Sequence, residues 1–269
     1  MERGANMSTP VIVQANPAIA ERGNVHIYLP EGKGPHPYVL GIHGGGWQNG
    51  DQSSYAFLWP HLKQRGIALV LVSYRLAPAH RFPAPYEDML VSLAWLRNNN
   101  GQHGLDNERC MIYGSSAGGH LAMLIGARAT AEKHAMPKLC GVVCNCGITD
   151  MNAQYDHEAK RNGTMVTTFM GTTPSADVSL YRDASPIAHV HAAMAPVWMA
   201  HGSGDTVVPV DQSRAMAQVL RAKGHSPIYL EAAGLPHTLR ETTNDGKNIE
   251  PMVLLFEHDL MRFIERVLQ

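Results

Sequence analysis

The stretch IALVLVSY, residues 67–74, carries no charge and no alternation of polar with apolar side chains. A strand with one face in water alternates, because successive side chains point to opposite faces. A run that does not alternate belongs to a strand covered on both sides, and helices are what cover both sides of a parallel sheet. This segment confines the chain to layered α/β architectures. VHIYLP (25–30), YVLGIH (38–43), CMIYG (110–114), LCGVVCN (139–145), PVWMAHG (196–202) and PIYLEAA (227–233) read as further strands. Between them lie helical stripes: Tyr86, Leu90, Leu93 and Ala94; a helix from Ala117; Ala215, Met216, Val219 and Leu220; then Met252, Leu255, Phe256, Phe263, Ile264 and Val267. Alternating strands and helices with short connections predict one domain over residues 1–269, with a mostly parallel sheet and helices on both faces. The exception is 150–186, polar and weakly periodic, which reads as a short lid or pocket loop.

Charge excludes some partners. A net charge of −1 with no basic stripe leaves nothing to hold nucleic acid or an anionic membrane. No apolar run reaches the length of a leader or a membrane span, so the expectation is a soluble protein, cytoplasmic or secreted after loss of a leader. Three of the four cysteines, Cys140, Cys144 and Cys146, sit at even spacing on one expected strand. Side chains sharing one face of a strand are poorly placed to bridge each other, and they read as small buried residues. His189 and His191 have no partners at zinc-ligand spacing, so no metal and no other cofactor is expected.

The segment GSSAGG (114–119) joins an expected strand to an expected helix. Ser116 is flanked two residues away by Gly114 and Gly118, whereas Ser115 has Tyr113 and Ala117 there. A sharp strand-to-helix turn leaves no room for side chains at the flanking positions, so only Ser116 fits the G-x-S-x-G frame. A serine hydroxyl is a weak nucleophile until a base takes its proton. In folds that raise a serine on such a turn, acid and base follow in chain order on loops after later strands. Asp205 follows one strand and His237 the next. Asp150, Asp211 and Glu231 are competing acids; Asp150, also beyond a strand, is the serious rival to Asp205. HGGGW (43–47) follows an early strand, and the N–H groups of Gly45 and Gly46, with that of Ala117, are candidates for an oxyanion hole. Trp47, with Phe169 and Met170 of the 150–186 segment, is a candidate pocket wall; Met165 belongs to the same apolar set.

HGGGW, YRLAP (74–78), FPAPYEDM (82–89), GSSAGGHLA (114–122) and HGSGDTVVP (201–209) resemble the α/β-hydrolase superfamily, and within it the hormone-sensitive-lipase-like esterases. YRDASPIAHV (181–190) is similar to the segment before the acid strand in short bacterial acetyl-xylan and feruloyl esterases. The nucleophile segment reads GSSAGG where typical hormone-sensitive-lipase relatives read GDSAGG, and His43 arrives too early for their helical cap. The resemblance implies an α/β-hydrolase fold without a large cap domain. It also implies a serine carboxylesterase acting on short-chain esters, acetyl or feruloyl esters of carbohydrates, with a small-molecule or oligosaccharide ester as its partner. An amidase or formamidase using the same three residues is the alternative, and a non-catalytic hydrolase-fold receptor a more distant one.

Overall fold

The computed structural model describes residues 9–237, 239, 241–242, 248–249 and 251–269. Its main strands are β1 (Val11–Gln14), β2 (Asn24–Tyr28), β3 (His36–Ile42), β4 (Ala68–Val72), β5 (Leu105–Ser115), β6 (Leu139–Asn145), β7 (Val197–Gly202) and β8 (Ile228–Ala232). They form one sheet in the order β1-β2-β4-β3-β5-β6-β7-β8. β1 and β2 run antiparallel to their neighbours, and the pairs from β4 to β8 are parallel. The helices are α1 (Trp59–Lys63), α2 (Ala84–Asn99), α3 (Ala117–Leu124), α4 (Met151–Ala159), α5 (Met165–Met170), α6 (Val178–Asp183), α7 (Asp211–Ala222) and α8 (Pro251–Leu268).

The non-alternating run becomes β4, buried at every position. Its side chains divide between two cores. Val70 joins Leu40, Ile112, Val142 and Met199 under α2, α3 and α7. Leu69 joins Val39, Met111, Val143 and Trp198 under α1 and α8. Adjacent residues of each strand thus serve opposite cores, which is why these strands carry no polar face. The side chains of Met252 and Leu255 lie outside the described residues; Phe263 and Ile264 of the same helix are buried.

Three expectations need correction. β1 was not anticipated: it is an edge strand with Val11 and Ile12 largely exposed, so it shows no burial pattern. The cysteines of β6 do not share a face, because the β5–β6 register shifts between Cys110 and Met111. Cys140 therefore packs with the α8 core and Cys144 with the α3 core, while Cys146 lies past the strand at positive φ. The segment 150–186 is not a loop, since it contains α4, α5 and α6. The carboxylates of Asp150 and Asp177 cap α4 and α6, accepting from the N–H groups of Asn152 and Ala153, and of Leu180.

Candidate active site

Ser116 sits between β5 and α3 at φ 55° and ψ −126°, a conformation a serine adopts only when its surroundings enforce it. They do so by backbone contact. A Cβ on Gly114 would lie 2.2 Å from the carbonyl oxygen of Gly118, and one on Gly118 would lie 2.0 Å from that of Ile42. The G-x-S-x-G spacing is thus a statement about how closely β5, α3 and the end of β3 approach. The turn lifts Ser116 Oγ to 2.9 Å from His237 Nε2. Ser115 faces elsewhere, with its Oγ 2.7 Å from the hydroxyl of Tyr55.

His237 Nδ1 lies 2.6 Å from Asp205 Oδ2. A carboxylate only accepts, so Nδ1 carries the proton and Nε2 is left to accept from Ser116. The other oxygen, Asp205 Oδ1, accepts from the N–H groups of Val207 and Val208 at 2.8 and 2.9 Å. Burial alone would raise the Asp205 carboxyl, but hydrogen bonds from His201 and His237 and the N–H of Val208 outweigh it. They hold the group far below the usual carboxylate range. The acid and histidine loops are fitted backbone to backbone: Ser203 N–H donates to Ala232 O and Gly204 N–H to Leu235 O. The rival acids are occupied elsewhere. Asp150 caps a helix, and Asp211 and Glu231 both pair with Arg214.

His201 was not singled out from the sequence. It is fully buried, 3.1 Å from Asp205 Oδ2 and 2.9 Å from Val208 O through Nε2, and 2.7 Å from Ser213 Oγ through Nδ1. Two acceptors face Nε2, so it bears the proton and shares it between them, while Nδ1 accepts from Ser213. The position of His201 on β7 signals burial; its partners emerge only when α7 and the acid loop are in place. Cys146, His201 and Asp205 come close enough to suggest a metal site. Both imidazole nitrogens are already engaged, and burial pushes the Cys146 thiol up so that it stays protonated. That donor set does not suit a cation.

Gly45 and Gly46 lie in the loop after β3, both at positive φ. The loop is held from several sides. Gln48 and Asn49 N–H donate to Gly45 O, the Tyr74 hydroxyl donates to His43 O at 2.9 Å, and His43 Nδ1 lies 2.8 Å from Gly44 O. Ala117, the first residue of α3, presents its N–H at a helix start where no intrahelical acceptor exists.

Trp47, Phe169 and Met170 are not where the pocket expectation put them. All three are buried, and Trp47 stacks on Phe169 at 4.1 Å. The Trp47 indole donates to His120 Nδ1 at 3.2 Å, and His120 Nε2–H donates to Ala184 O at 2.7 Å. The backbone of Trp47 turns through φ 59°, and its ring packs against His120 and Phe169. Burial pushes both His43 and His120 down to about 4, so each supports the loop as a neutral ring. Of the apolar set in 150–186, Met165 does reach the cavity, packing against Gly46.

The cavity has a volume of about 660 Å³ and holds Ser116, His237 and Gly44–Gly46 in its wall. Tyr113 and Trp198 of the sheet and Leu260 and Met261 of α8 also line it.

The family model BD-FAE matches residues 25–220, a span that contains Ser116, Asp205 and the glycine loop. The chain belongs to the BD-FAE family. Among curated proteins it is similar to esterase LipC of Mycobacterium tuberculosis, 31% identical over 215 residues, covering 76% of this chain and 53% of that one. The probable carboxylic ester hydrolase LipM of the same organism is 29% identical over 213 residues, covering 76% and 49%. The chain thus spans about half the length of the curated relatives it matches. Among solved structures it is similar to a truncated carbohydrate esterase from gut microbiota, with a TM-score of 0.80, 19% identity and coverage of 98% and 99% of the two chains. The fold is that of the α/β-hydrolases. No helix among the described residues is long and apolar enough to cross a membrane.

Proposed function

We propose that this protein is a serine carboxylesterase, and the observation that carries the reading is the series Ser116–His237–Asp205 at 2.9 and 2.6 Å. His237 Nε2 takes the Ser116 proton as Oγ attacks the ester carbonyl carbon. The carbonyl π electrons move to oxygen, where the N–H groups of Gly45, Gly46 and Ala117 stabilise the charge. Collapse of this intermediate expels the alcohol, which leaves with the proton from His237. Water then gives a proton to the same nitrogen and attacks the acyl-enzyme, releasing the acid and restoring Ser116. Asp205 holds the imidazole in the required tautomer throughout.

Membership of the BD-FAE family, and the likeness to a carbohydrate esterase, support esters of carbohydrates with acetyl or feruloyl acyl groups as substrates. A fluorophosphonate should modify Ser116 stoichiometrically. Acetyl nitrophenyl ester, acetylated xylan and methyl ferulate should be turned over in preference to the octanoyl nitrophenyl ester. Fast octanoyl cleavage with no action on the carbohydrate esters would overturn the substrate class; absence of labelling at Ser116 would overturn the mechanism.

His201 acts in this reading as a positioning residue, through the proton it shares with Asp205 Oδ2. The titratable groups facing Asp205 are His201, His237 and the protonated Cys146 thiol. His201→Phe removes one donor, so the Asp205 negative charge is less compensated and pulls harder on the His237 proton. The acid limb of kcat/KM should therefore move to higher pH, with a loss of about tenfold at neutral pH. His201→Gln, which keeps an N–H donor, should leave the limb close to its original place. A pH profile unmoved in both variants would reduce His201 to a packing residue.

A further inference from the structure

A chain of hydrogen bonds reaches the glycine loop from Arg22, which stands between β1 and β2. Arg22 Nη1 donates to Ser73 Oγ and to Gly50 O, each at 3.1 Å. Ser73, one residue past β4, is buried, and its Oγ lies 2.8 Å from His43 Nε2. His43 Nδ1 in turn lies 2.8 Å from Gly44 O. The placement of the protons follows from which groups can accept. A carbonyl oxygen only accepts, so Nδ1 carries the proton of the neutral ring and Nε2 takes one from Ser73. An arginine only donates, so it occupies a lone pair of Ser73 Oγ and leaves the hydroxyl proton for His43. Every bond therefore points the same way, from the guanidinium through Ser73 and His43 to Gly44.

The members of this chain hold one another in place. The Tyr74 ring stacks on the His43 imidazole, with centroids 4.3 Å apart and planes 12° from parallel. A Cβ on Gly50 would lie 2.5 Å from His43 Nδ1 and 2.9 Å from Gly44 O. The backbone that Arg22 grips thus lies directly against the last bond of the chain. All three oxygens that Arg22 Nη1 meets, on Gly50, Ser73 and Tyr74, are uncharged, so no carboxylate cancels the charge at this contact. At the other end, Gly44 C=O and Gly45 N–H belong to one planar trans peptide and point in opposite directions. Anchoring the carbonyl fixes the aim of the N–H, and a hydrogen bond accepted by the carbonyl makes the N–H of the same amide a stronger donor. Gly45 lines the cavity.

We infer that Arg22 is a positioning residue of the oxyanion hole, acting through Ser73 and His43 to orient and polarise the Gly44–Gly45 peptide toward the reacting carbonyl. The inference rests on the esterase reading given above, in which Gly45 N–H receives part of the charge. As the carbonyl oxygen turns negative it draws on Gly45 N–H, and each bond behind strengthens in turn, with the guanidinium as counter-charge at the far end. The uncharged carbonyl of the bound ester asks much less of the same chain. The contribution of Arg22 therefore belongs to the transition state, and to kcat more than to KM. Gly46 N–H is anchored separately, because Gly45 O accepts from Gln48 and Asn49, and Ala117 N–H is set by the start of α3. Loss of Arg22 weakens one donor of three. Removing a donor outright costs about 10²- to 10³-fold, and weakening one should cost about tenfold.

The test uses the intact protein with nitrophenyl acetate and with phenyl trifluoromethyl ketone. Ser116 Oγ adds to the ketone carbon, its proton passes to His237 and the carbonyl π pair moves to oxygen, which leaves a stable adduct bearing the oxyanion. All rates are divided by the concentration of Ser116 titratable with fluorophosphonate, so loss of folded protein does not enter. Arg22→Met should lower kcat about tenfold with KM within about twofold, and should weaken the ketone by the same factor as kcat/KM. Arg22→Lys, which keeps the charge and a donor, should stay within about threefold of the parent. Ser73→Ala cuts the chain at its middle and should also cost about tenfold; in that background Arg22→Met should cost less than about threefold, because the two act in series. A full tenfold loss from Arg22→Met in both backgrounds, a loss confined to KM, or a fall in kcat without matching loss of ketone affinity overturns the inference. So does an Arg22→Lys protein as slow as Arg22→Met. If the parent neither hydrolyses nitrophenyl acetate by way of Ser116 nor forms the ketone adduct, the esterase reading has failed and this inference falls with it. If the parent does both and Arg22→Met matches it, that reading stands and only Arg22 has been misassigned.

Discussion

Ser116→Ala should lower kcat for a nitrophenyl ester by about 10⁴-fold or more, while the protein melts close to the unaltered temperature. The size follows from the linkage of the site: without Oγ there is nothing for His237 to deprotonate, and what remains is the contribution of the oxyanion donors and of binding. The neighbouring serine supplies the control. Ser115 Oγ meets the Tyr55 hydroxyl at 2.7 Å, away from His237, so Ser115→Ala should stay within about tenfold of the parent. The two variants share a peptide bond and differ in which side of it the hydroxyl leaves. Comparable losses in both would mean that the turn as a whole is fragile, and would remove the special status of Ser116.

Asp205→Asn should cost about 10³- to 10⁴-fold in kcat, and the geometry gives the reason. Asp205 Oδ1 accepts from Val207 and Val208 N–H, a place only an oxygen can fill. The new amide must therefore put its NH₂ where Oδ2 stood, facing His201 Nε2–H at 3.1 Å and His237 Nδ1 at 2.6 Å. The first contact sets donor against donor. The second gives His237 Nδ1 a proton to accept, which moves the imidazole proton to Nε2 and turns the base toward Ser116 as a donor. Steady-state rates read the effect, and a loss below tenfold would mean that the imidazole tautomer is set by something other than Asp205.

The parts of the fold that were legible are those in which one residue's surroundings are dictated by its neighbours in the chain. β4 could be read because a strand buried on both faces needs every residue apolar, and Ser116 because its turn excludes side chains at two fixed offsets. The rest depended on partners distant in sequence. Trp47 follows the glycine loop, which says that it is near the site. It does not say on which side the ring lies, and that is decided by His120 and Phe169 from other elements. Helices α5 and α6 have six residues each, too short for a periodic stripe to rise above the Thr-rich background. The visible sign of α6 is its capping aspartate Asp177, and that of α4 is Asp150, which reads from the sequence as a rival acid instead. His201 looks like an ordinary member of a buried strand until the loops around it are placed.

The two banks of the cleft differ in how much change they can absorb. On one bank the contacts are peptide against peptide, at Gly114, Gly118 and Ile42, where any added atom collides with a carbonyl. On the other, Leu58 and, from α8, Phe256, Leu260 and Met261 meet the cavity with side chains, which can be exchanged for one another at the cost of repacking. Selection for a new ester in a randomised library should thus accumulate its successful changes on the α8 bank, and leave the glycine bank as it stands.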